Sequence, residues 1–309
     1  MDDGMNGFNS GFVYRTTVDA AGAGSSVLAF HVARYRHSGE RAWRAAIDAG
    51  RVLVNGRRAE PEQQLAAGDA LEFHRAPWRE PDAPESFDVA FEDDDVLVVV
   101  KPANLQVLPA GPFSSRTLLE LVRRSDSSRA EAAPAHRLGR GTSGLIAFGK
   151  TALGRSALAR QLRELTLGKT YLAWVEGARL PPSFAARQPI TRVPHGPLTI
   201  HAAAAHGRPS WTRVRVLRRA GERALVAAQP ITGRPDQIRI HLAAAGAPIV
   251  GDPLFGPGGV PKSDVPPGTG GYLLHAAALS FTHPRSGARV RLKSSPDWLV
   301  GVPQSRVAS

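Results

Sequence analysis

The segment from residue 136 to residue 151 carries the glycine spacings of two nucleotide-binding motifs. Gly-x-Gly-x-x-Gly over 139–144 has the spacing of a dinucleotide fingerprint, in which a helix N-terminus binds the pyrophosphate. Gly-x-x-x-x-Gly-Lys-Thr over 144–151 has the spacing of a phosphate loop. A third interpretation is a bend of basic and small residues that carries an active-site loop into a strand. The surrounding sequence decides among the three.

Both nucleotide-binding interpretations conflict with the residues around the glycines. A dinucleotide site needs a buried strand before the glycines and a helix directly after them. Here the run Leu-Ile-Ala-Phe over 145–148 follows and predicts a strand. A phosphate loop exposes the amides of its variable residues to phosphate, whereas these four residues are apolar and favour burial. We therefore interpret the segment as a loop that enters a strand.

The charge balance indicates a polyanionic partner. Among the 309 residues, 39 are Lys or Arg and 27 are Asp or Glu, which gives a formal net charge of +12. Five of the basic residues are Lys, and the other 34 are Arg. Because the planar guanidinium of Arg binds phosphate with two hydrogen bonds and stacks on bases, we expect the partner to be a nucleic acid.

The cysteine content, the apolar runs and the N-terminus exclude several classes of protein. The chain has no cysteine, which excludes disulfides, thiolate nucleophiles and cysteine-based zinc sites. No apolar run approaches the roughly 20 residues that span a membrane, and the N-terminus lacks the pattern of a signal peptide. A hydrophobic content of 42% suits a globular protein with two domains. We expect a cytoplasmic monomer without membrane contact.

Changes in composition divide the chain into four parts. Residues 1–24 are rich in Gly, Ala and Ser without periodicity and predict a flexible tail. Residues 25–76 predict two short helices and a hairpin that turns at Asn55-Gly56. Residues 77–85 form a Pro-rich linker, which precedes a larger domain over 86–303.

The part over 25–76 is rich in arginine. Its sequence Ile-Asp-Ala-Gly-Arg-Val-Leu-Val-Asn-Gly over 47–56, followed by Gly68-Asp69, resembles the αL RNA-binding module of ribosomal and RNA-modifying proteins. The resemblance implies RNA contact by this module, and its positive charge supports that prediction. The arginines that we predict to bind RNA here are Arg34, Arg44, Arg57 and Arg58.

Strands and helices are both expected in the larger domain. Apolar runs predict strands over 87–91, 96–100, 145–148, 169–176, 211–217, 224–228, 275–281 and 288–292. Helices are predicted over 116–124, 152–165 and 232–246, the last with Pro235 in its first turn. Residues 179–209 are rich in Pro and predict few strands. The acidic run over 92–95 is interpreted as a solvated turn, because no further ligands stand at metal-binding spacing.

Several separated motifs follow one another in the larger domain. They are Lys-Pro-Ala-Asn-Leu over 101–105, His-Arg-Leu-Gly-Arg-Gly-Thr-Ser-Gly over 136–144, Lys-x-Tyr-x-Ala over 169–173, Thr-Gly-Arg-x-x-Gln-Ile-Arg-x-His over 232–241, Gly-Asp over 251–252 and Leu-His-Ala over 274–276. Together they resemble the motifs of the RluA-type RNA pseudouridine synthases over about residues 86–300. The resemblance implies an α+β fold with a mixed, mostly antiparallel, bent sheet.

The resemblance also implies a reaction and residue roles. The reaction isomerises uridine to pseudouridine in structured RNA, such as rRNA or tRNA, and needs no cofactor and no metal. Arg137 matches the arginine that fills the space beside the flipped base, and Tyr171 matches the tyrosine that stacks on the uracil. Arg239 matches the arginine that pairs with the catalytic carboxylate. We further predict that Arg140 and Lys101 contact RNA.

The chain departs from the family pattern at the catalytic position. The family has an aspartate after His-Arg-Leu, and this chain has Gly139 there. Asp236 stands where the family usually has a histidine. Two hypotheses follow: a synthase with an unusual active site, or an RNA-binding protein or RNA chaperone that keeps the fold without catalysis. We expect the guanidinium of Arg239 to pair with Asp236 or Asp252, because an unpaired buried charge is costly.

Overall fold

The computed structural model describes residues 8–36, 38–177, 179–196, 198–265 and 268–299. The chain divides into two compact units. The first unit contains the residues up to Pro81 together with Pro194–Thr199, and the second contains the remainder from Asp82 onward. None of the helices among the described residues is both long enough and apolar enough to cross a membrane.

The first unit packs two helices against a four-stranded antiparallel sheet. Its elements are β1 (Phe12–Thr17), α1 (Val27–Arg34), α2 (Glu40–Asp48), β2 (Val52–Val54), β3 (Arg57–Arg58) and β4 (Ala70–Arg75), and the strand order is β1-β4-β2-β3. Ser26 caps α1 by accepting a hydrogen bond from the Ala29 amide. The turn between β2 and β3 is the predicted one, since Asn55 and Gly56 both have positive φ angles.

The prediction of a flexible tail over residues 1–24 is wrong for its second half. Phe12–Thr17 form strand β1, which pairs antiparallel with β4 in continuous register. Val18, directly after it, is buried in the core of the first unit. The sequence signal is weak because β1 is an edge strand with largely exposed side chains, so it shows little hydrophobic alternation.

The second unit is built on a ten-stranded mixed sheet. Its strands are β5 (Asp88–Glu92), β6 (Val96–Lys101), β7 (Ala133–Pro134), β8 (Ser143–Gly149), β9 (Gly168–Glu176), β10 (Ser183–Ala186), β13 (Thr212–Ala220), β14 (Arg223–Pro230), β15 (Leu274–Thr282) and β16 (Arg289–Lys293). The main order is β10-β13-β14-β9-β15-β8-β6-β5, with β16 beside β15 and β7 beside β8. Neighbouring strands run antiparallel, apart from the parallel pair of β15 with β8.

The prediction of few strands over 179–209 is wrong. β10 forms one edge of the large sheet, and β11 (Ile190–His195) pairs with β12 (Leu198–Ala203) in a separate two-stranded sheet. Prolines lie in and around these strands. Because proline is depleted in strands, residue propensities do not predict them. Their apolar residues are also few and separated in sequence, so the sequence has no continuous apolar run that predicts a strand there.

Three helices pack against the large sheet. They are α3 (Leu118–Ser125), α4 (Ala152–Arg163) and α5 (Gln237–Ala244). All of the residues from Gln237 to Ala243 are buried, so α5 lies within the core rather than on its surface. It begins later than predicted, because Asp236 adopts a left-handed backbone conformation and Pro235 therefore precedes the helix.

Candidate active site

The glycines of the 139–144 segment serve close packing. Gly144 pairs with Ala276 where β8 runs parallel to β15, and it has a φ angle of +107°. A Cβ atom on Gly144 would lie 2.4 Å from the carbonyl oxygen of Ala276, so only glycine fits this approach. At Gly141 a Cβ atom would lie 2.8 Å from the Cα atom of Gly270. A strand follows these glycines, which confirms that the segment is a loop that enters a strand and excludes a dinucleotide fingerprint.

The Lys-Thr pair at the end of the segment has structural partners. The ammonium of Lys150 lies 2.9 Å from a carboxylate oxygen of Glu92. Thr151 caps α4 and donates its hydroxyl hydrogen to Asp95 at 2.7 Å. Residues 145–148 are buried in β8. A phosphate loop is therefore excluded, and the acidic turn of residues 92–95 holds these two side chains.

The position of Lys101 in the structure contradicts the prediction that this residue binds RNA. Its side chain is completely buried, and its ammonium donates hydrogen bonds to the carbonyl oxygens of Pro102, Leu105 and Arg140 at 2.8, 2.8 and 3.0 Å. Burial, with a smaller contribution from the charge of Arg140, lowers the pKa of Lys101 to about 7. Lys101 thus ties the 139–144 segment to the end of β6 and cannot reach RNA.

The side-chain space at position 139 is occupied by Tyr272. A Cβ atom on Gly139 would lie 2.8 Å from the Tyr272 hydroxyl oxygen and 3.4 Å from the Thr142 hydroxyl oxygen. The two hydroxyls are hydrogen-bonded to each other at 3.2 Å. Tyr272 is buried, and its ring packs on the guanidinium of Arg239. An aspartate at position 139 therefore requires Tyr272 to move.

Arg239 pairs with both of the aspartates that the sequence proposes. Its Nε and Nη2 atoms each lie 2.8 Å from an oxygen of Asp252, and its Nη1 atom lies 2.8 Å from Asp236 Oδ1. The guanidinium carbon lies 4.3 Å from the centre of the Tyr272 ring and 4.9 Å from that of Phe255. Burial disfavours the charge, but the bonds to Asp252 and the charge of Asp236 outweigh it and raise the pKa of Arg239.

The two aspartates on Arg239 differ in burial. The Asp252 side chain is 1% exposed, and besides Arg239 its Oδ1 atom accepts hydrogen bonds from the amides of Leu254 and Phe255. The Asp236 side chain is 31% exposed. Among the described residues, the Asp236 side chain accepts a hydrogen bond from Arg239 alone, through Oδ1, so its second carboxylate oxygen has no protein donor.

Tyr171 lies on β9, between β14 and β15, opposite Ala228 and Ala276. Its side chain is buried in the same core cluster as Leu138 and Tyr272. Burial raises the pKa of Tyr171, so its hydroxyl is neutral. In the part of the chain that the structure describes, this hydroxyl has no hydrogen-bond partner. The phenol is therefore held by packing rather than by a polar contact.

Comparison with known proteins identifies the family. A family model described as RNA pseudouridylate synthase matches residues 95–244. An uncharacterized RNA pseudouridine synthase of Synechocystis sp. is 40% identical over 269 residues, which cover 86% of this chain and 92% of that protein. The chain belongs to the RluA-type RNA pseudouridine synthases. It is accordingly an RNA-modifying isomerase, and the enzyme class predicted from the sequence is confirmed.

Two further comparisons agree with this assignment. Ribosomal large subunit pseudouridine synthase D of Neisseria meningitidis serogroup B is 34% identical over 287 residues, or 89% of this chain and 76% of that protein. The solved structure of human RNA Pseudouridylate Synthase Domain Containing 1 matches with a TM-score of 0.56 and 25% identity, covering 70% of this chain and 86% of that one. The α+β prediction is confirmed, and the inactive alternative gains no support.

The predicted RNA-binding residues of the synthase loop differ in exposure. Arg137 is exposed, whereas Arg140 is half-buried with its guanidinium carbon 5.2 Å from the centre of the Phe113 ring. The Arg140 Nε atom is buried and unpaired among the described residues. Burial, with a smaller effect of the Lys169 charge, lowers the pKa of His136 to about 3, so this histidine is neutral.

The predicted RNA-binding arginines of the first unit have mostly intramolecular partners. Arg34 lies 3.6 Å from Asp19, and Arg44 lies 3.1 Å from Glu62. Arg58 donates a hydrogen bond to the carbonyl oxygen of Asp48. Arg57 is exposed beside Arg58 on β3. Surface pairs of this kind are weak in water, so they compete little with a phosphate.

The sequence did not reveal Tyr272 or Thr142 as members of the site. Tyr272 stands two residues before the Leu-His-Ala motif of 274–276, in a segment without a pattern of its own. Its contact with Thr142 joins residues that are 130 positions apart. Only the pairing of β15 with β8 brings them together, and a single sequence holds no signal for that register.

Proposed function

We propose that this synthase isomerises uridine to pseudouridine within structured ribosomal or transfer RNA in the cytoplasm, with Tyr171 and Arg239 at its active site. In this reaction the N1–C1′ bond of the nucleotide breaks, the uracil turns, and a C5–C1′ bond forms. The proton on C5 is lost to solvent, and N1 takes up a proton in its place. The observation that carries the proposal is that Tyr171 shares one packed cluster with Leu138 of the loop, Ile238 of α5 and Tyr272.

Tyr171 offers a flat, neutral surface for the uracil. A phenol held by packing on a rigid strand can stack on a base that has left the helix. Its hydroxyl, which has no partner among the described residues, remains available for a hydrogen bond to the base. From that position it can also assist removal of the C5 proton. These features support its assignment as the residue that receives the flipped uracil.

RNA binding is assigned to the arginines. The exposed Arg137 stands in the loop next to position 139, where an inserted side chain can replace the flipped base in the stack. Arg140 follows it in the same loop. In the first unit, Arg34, Arg44, Arg57 and Arg58 supply positive charge for the phosphate backbone, as expected of an RNA-binding module over 25–76. The net charge of +12 supports both assignments.

Tritium release tests this proposal. The purified protein is incubated with rRNA fragments or tRNA transcripts whose uridines carry tritium at C5, and the label released into water is counted. Isomerisation releases one tritium for each uridine converted, so we expect release that saturates at a whole number of sites per RNA. If the protein binds the RNA but releases no tritium from either folded or unfolded RNA, the result would support the inactive RNA-binding alternative instead.

A further inference from the structure

Cleavage of a glycosidic bond places specific demands on the site. As the N1–C1′ bond lengthens, positive charge develops on the sugar, and a carboxylate beside C1′ stabilises that charge or bonds to the carbon. Gly139 supplies no side chain, and the Tyr272 hydroxyl lies 2.8 Å from where its Cβ atom would stand. The carboxylate must therefore come from another position in the same site.

Asp252 is unsuited to this role. Its side chain is 1% exposed, so a sugar cannot reach it. Both of its oxygens accept hydrogen bonds from Arg239, and one also accepts from the amides of Leu254 and Phe255. A carboxylate whose lone pairs are used in this way holds the guanidinium and has little capacity to react. We assign Asp252 as the residue that positions Arg239.

Asp236 has the properties that Asp252 lacks. Its side chain is 31% exposed, and only Oδ1 is engaged, by Arg239. Asp236 stands at the N-cap of α5, where an aspartate side chain ordinarily accepts a hydrogen bond from the first turn. Here it makes no such capping bond, because the carboxylate is turned to the guanidinium instead. Its φ angle of +54° is uncommon for a residue other than glycine, and such conformations concentrate at functional sites.

A chain of contacts links Asp236 to position 139. The Tyr272 hydroxyl lies where a side chain of residue 139 would begin, the Tyr272 ring packs on the Arg239 guanidinium, and that guanidinium binds Asp236. Asp236 thus belongs to one connected cluster with Arg239 and Tyr272, and Tyr272 borders the loop at Gly139.

We propose that Asp236 supplies the catalytic carboxylate of this synthase. This inference rests on the proposed function. Oδ2 of Asp236 bonds to C1′ as the N1–C1′ bond breaks, and the electron pair of that bond stays on the uracil. After the uracil turns, C5 bonds to C1′ and the bond to Oδ2 breaks, which returns its electron pair to the carboxylate. The C5 proton then leaves to solvent, and N1, which is no longer bonded to the sugar, takes up a proton from solvent.

The test compares Asp236→Asn, Asp236→Glu and the control Asp94→Asn by tritium release from C5-labelled RNA. Asp94→Asn removes the same charge from an exposed residue of the acidic turn over 92–95. We expect Asp236→Asn to lower kcat by roughly 10³-fold or more while its Kd for RNA stays within about threefold of wild type. Asp236→Glu keeps a carboxylate and should retain measurable turnover, whereas Asp94→Asn should match wild type.

Turnover and RNA binding of the variants decide whether Asp236 reacts. A folded Asp236→Asn that retains kcat within about threefold of wild type overturns the proposal. Equal losses in Asp236→Asn and Asp236→Glu, with RNA binding intact, also overturn it, because a reacting carboxylate must distinguish the two. If Asp236→Asn fails to fold, the turnover of Asp236→Glu relative to Asp236→Ser decides. If wild-type protein releases no tritium, the proposed function itself is contradicted. A loss of release that is confined to the Asp236 variants bears on the role of Asp236 alone.

Discussion

Two aspartates bind the same guanidinium, and their surroundings give them different tasks. Asp252 is buried and accepts hydrogen bonds from Arg239 and two backbone amides. Asp236 is 31% exposed and uses a single oxygen. A carboxylate that is fully bonded stabilises the fold, whereas one with a free oxygen at a solvent-accessible position is available to a substrate. Burial and hydrogen-bond saturation therefore separate structural from reactive groups within one ion-pair cluster.

Removing the shared partner should have the largest effect. In Arg239→Met both aspartates lose their ion pair, and Asp252 becomes an unpaired buried charge. We expect a loss of about 3–5 kcal/mol in the free energy of unfolding, together with loss of tritium release. Urea denaturation followed by circular dichroism measures the first quantity. A variant as stable as wild type would show that the cluster does not hold α5 in place.

Asp252→Asn should act mainly on stability. The amide oxygen still accepts one hydrogen bond, but its amino group faces the guanidinium and the charge attraction is lost. We expect the free energy of unfolding to fall by about 1.5–3 kcal/mol, the usual range for hydrogen bonds to charged groups. The same denaturation measurement checks it. If Asp252→Asn changed the free energy of unfolding less than Asp236→Asn does, Asp252 would not be the structural aspartate of the pair.

Tyr171→Phe should act on catalysis with little change in stability. Its hydroxyl has no partner among the described residues, so the free energy of unfolding should change by less than about 0.5 kcal/mol. Turnover should fall by roughly 10²-fold or more, because the hydroxyl no longer assists proton removal from C5. Steady-state tritium release with saturating RNA measures kcat. Unchanged turnover would confine Tyr171 to a stacking role.

Arg57→Ala should have the smallest effect and serves to separate binding from chemistry. Arg57 is exposed on β3, and losing one phosphate contact should weaken RNA binding by a few-fold while reducing the salt slope of log K by about one or less. Filter binding between low and moderate salt gives both values. A loss of turnover at saturating RNA would be inconsistent with this assignment.

Much of the fold could be predicted because long apolar runs and turn residues carry local signals. Val96–Lys101 and Ser143–Gly149 form strands as their buried runs predict, and Asn55-Gly56 forms the predicted turn. The pairing of Arg239 with nearby aspartates could also be predicted, since a buried guanidinium needs an acceptor and few candidates stand close in sequence.

Other features depend on long-range packing and could not be predicted. Lys101 looks like an RNA-binding residue in the sequence, yet its burial against three carbonyl oxygens follows from the path of two separate loops. The occupation of the space at Gly139 by Tyr272 depends on the register between distant strands. The sequence shows that position 139 lacks a carboxylate, but only the structure shows that a side chain there would meet the hydroxyl of Tyr272.

Asp236 is assigned the reacting carboxylate, and Asp252 is assigned the positioning of Arg239. Single-turnover tritium release, with enzyme in excess over labelled RNA, compares the chemical step of Asp236→Asn and Asp252→Asn directly. We predict that Asp236→Asn slows this step by roughly 10³-fold or more, while folded Asp252→Asn slows it by about tenfold or less. An Asp236→Asn variant that reacts as fast as wild type, or an Asp252→Asn variant that is the slower of the two, would contradict the account.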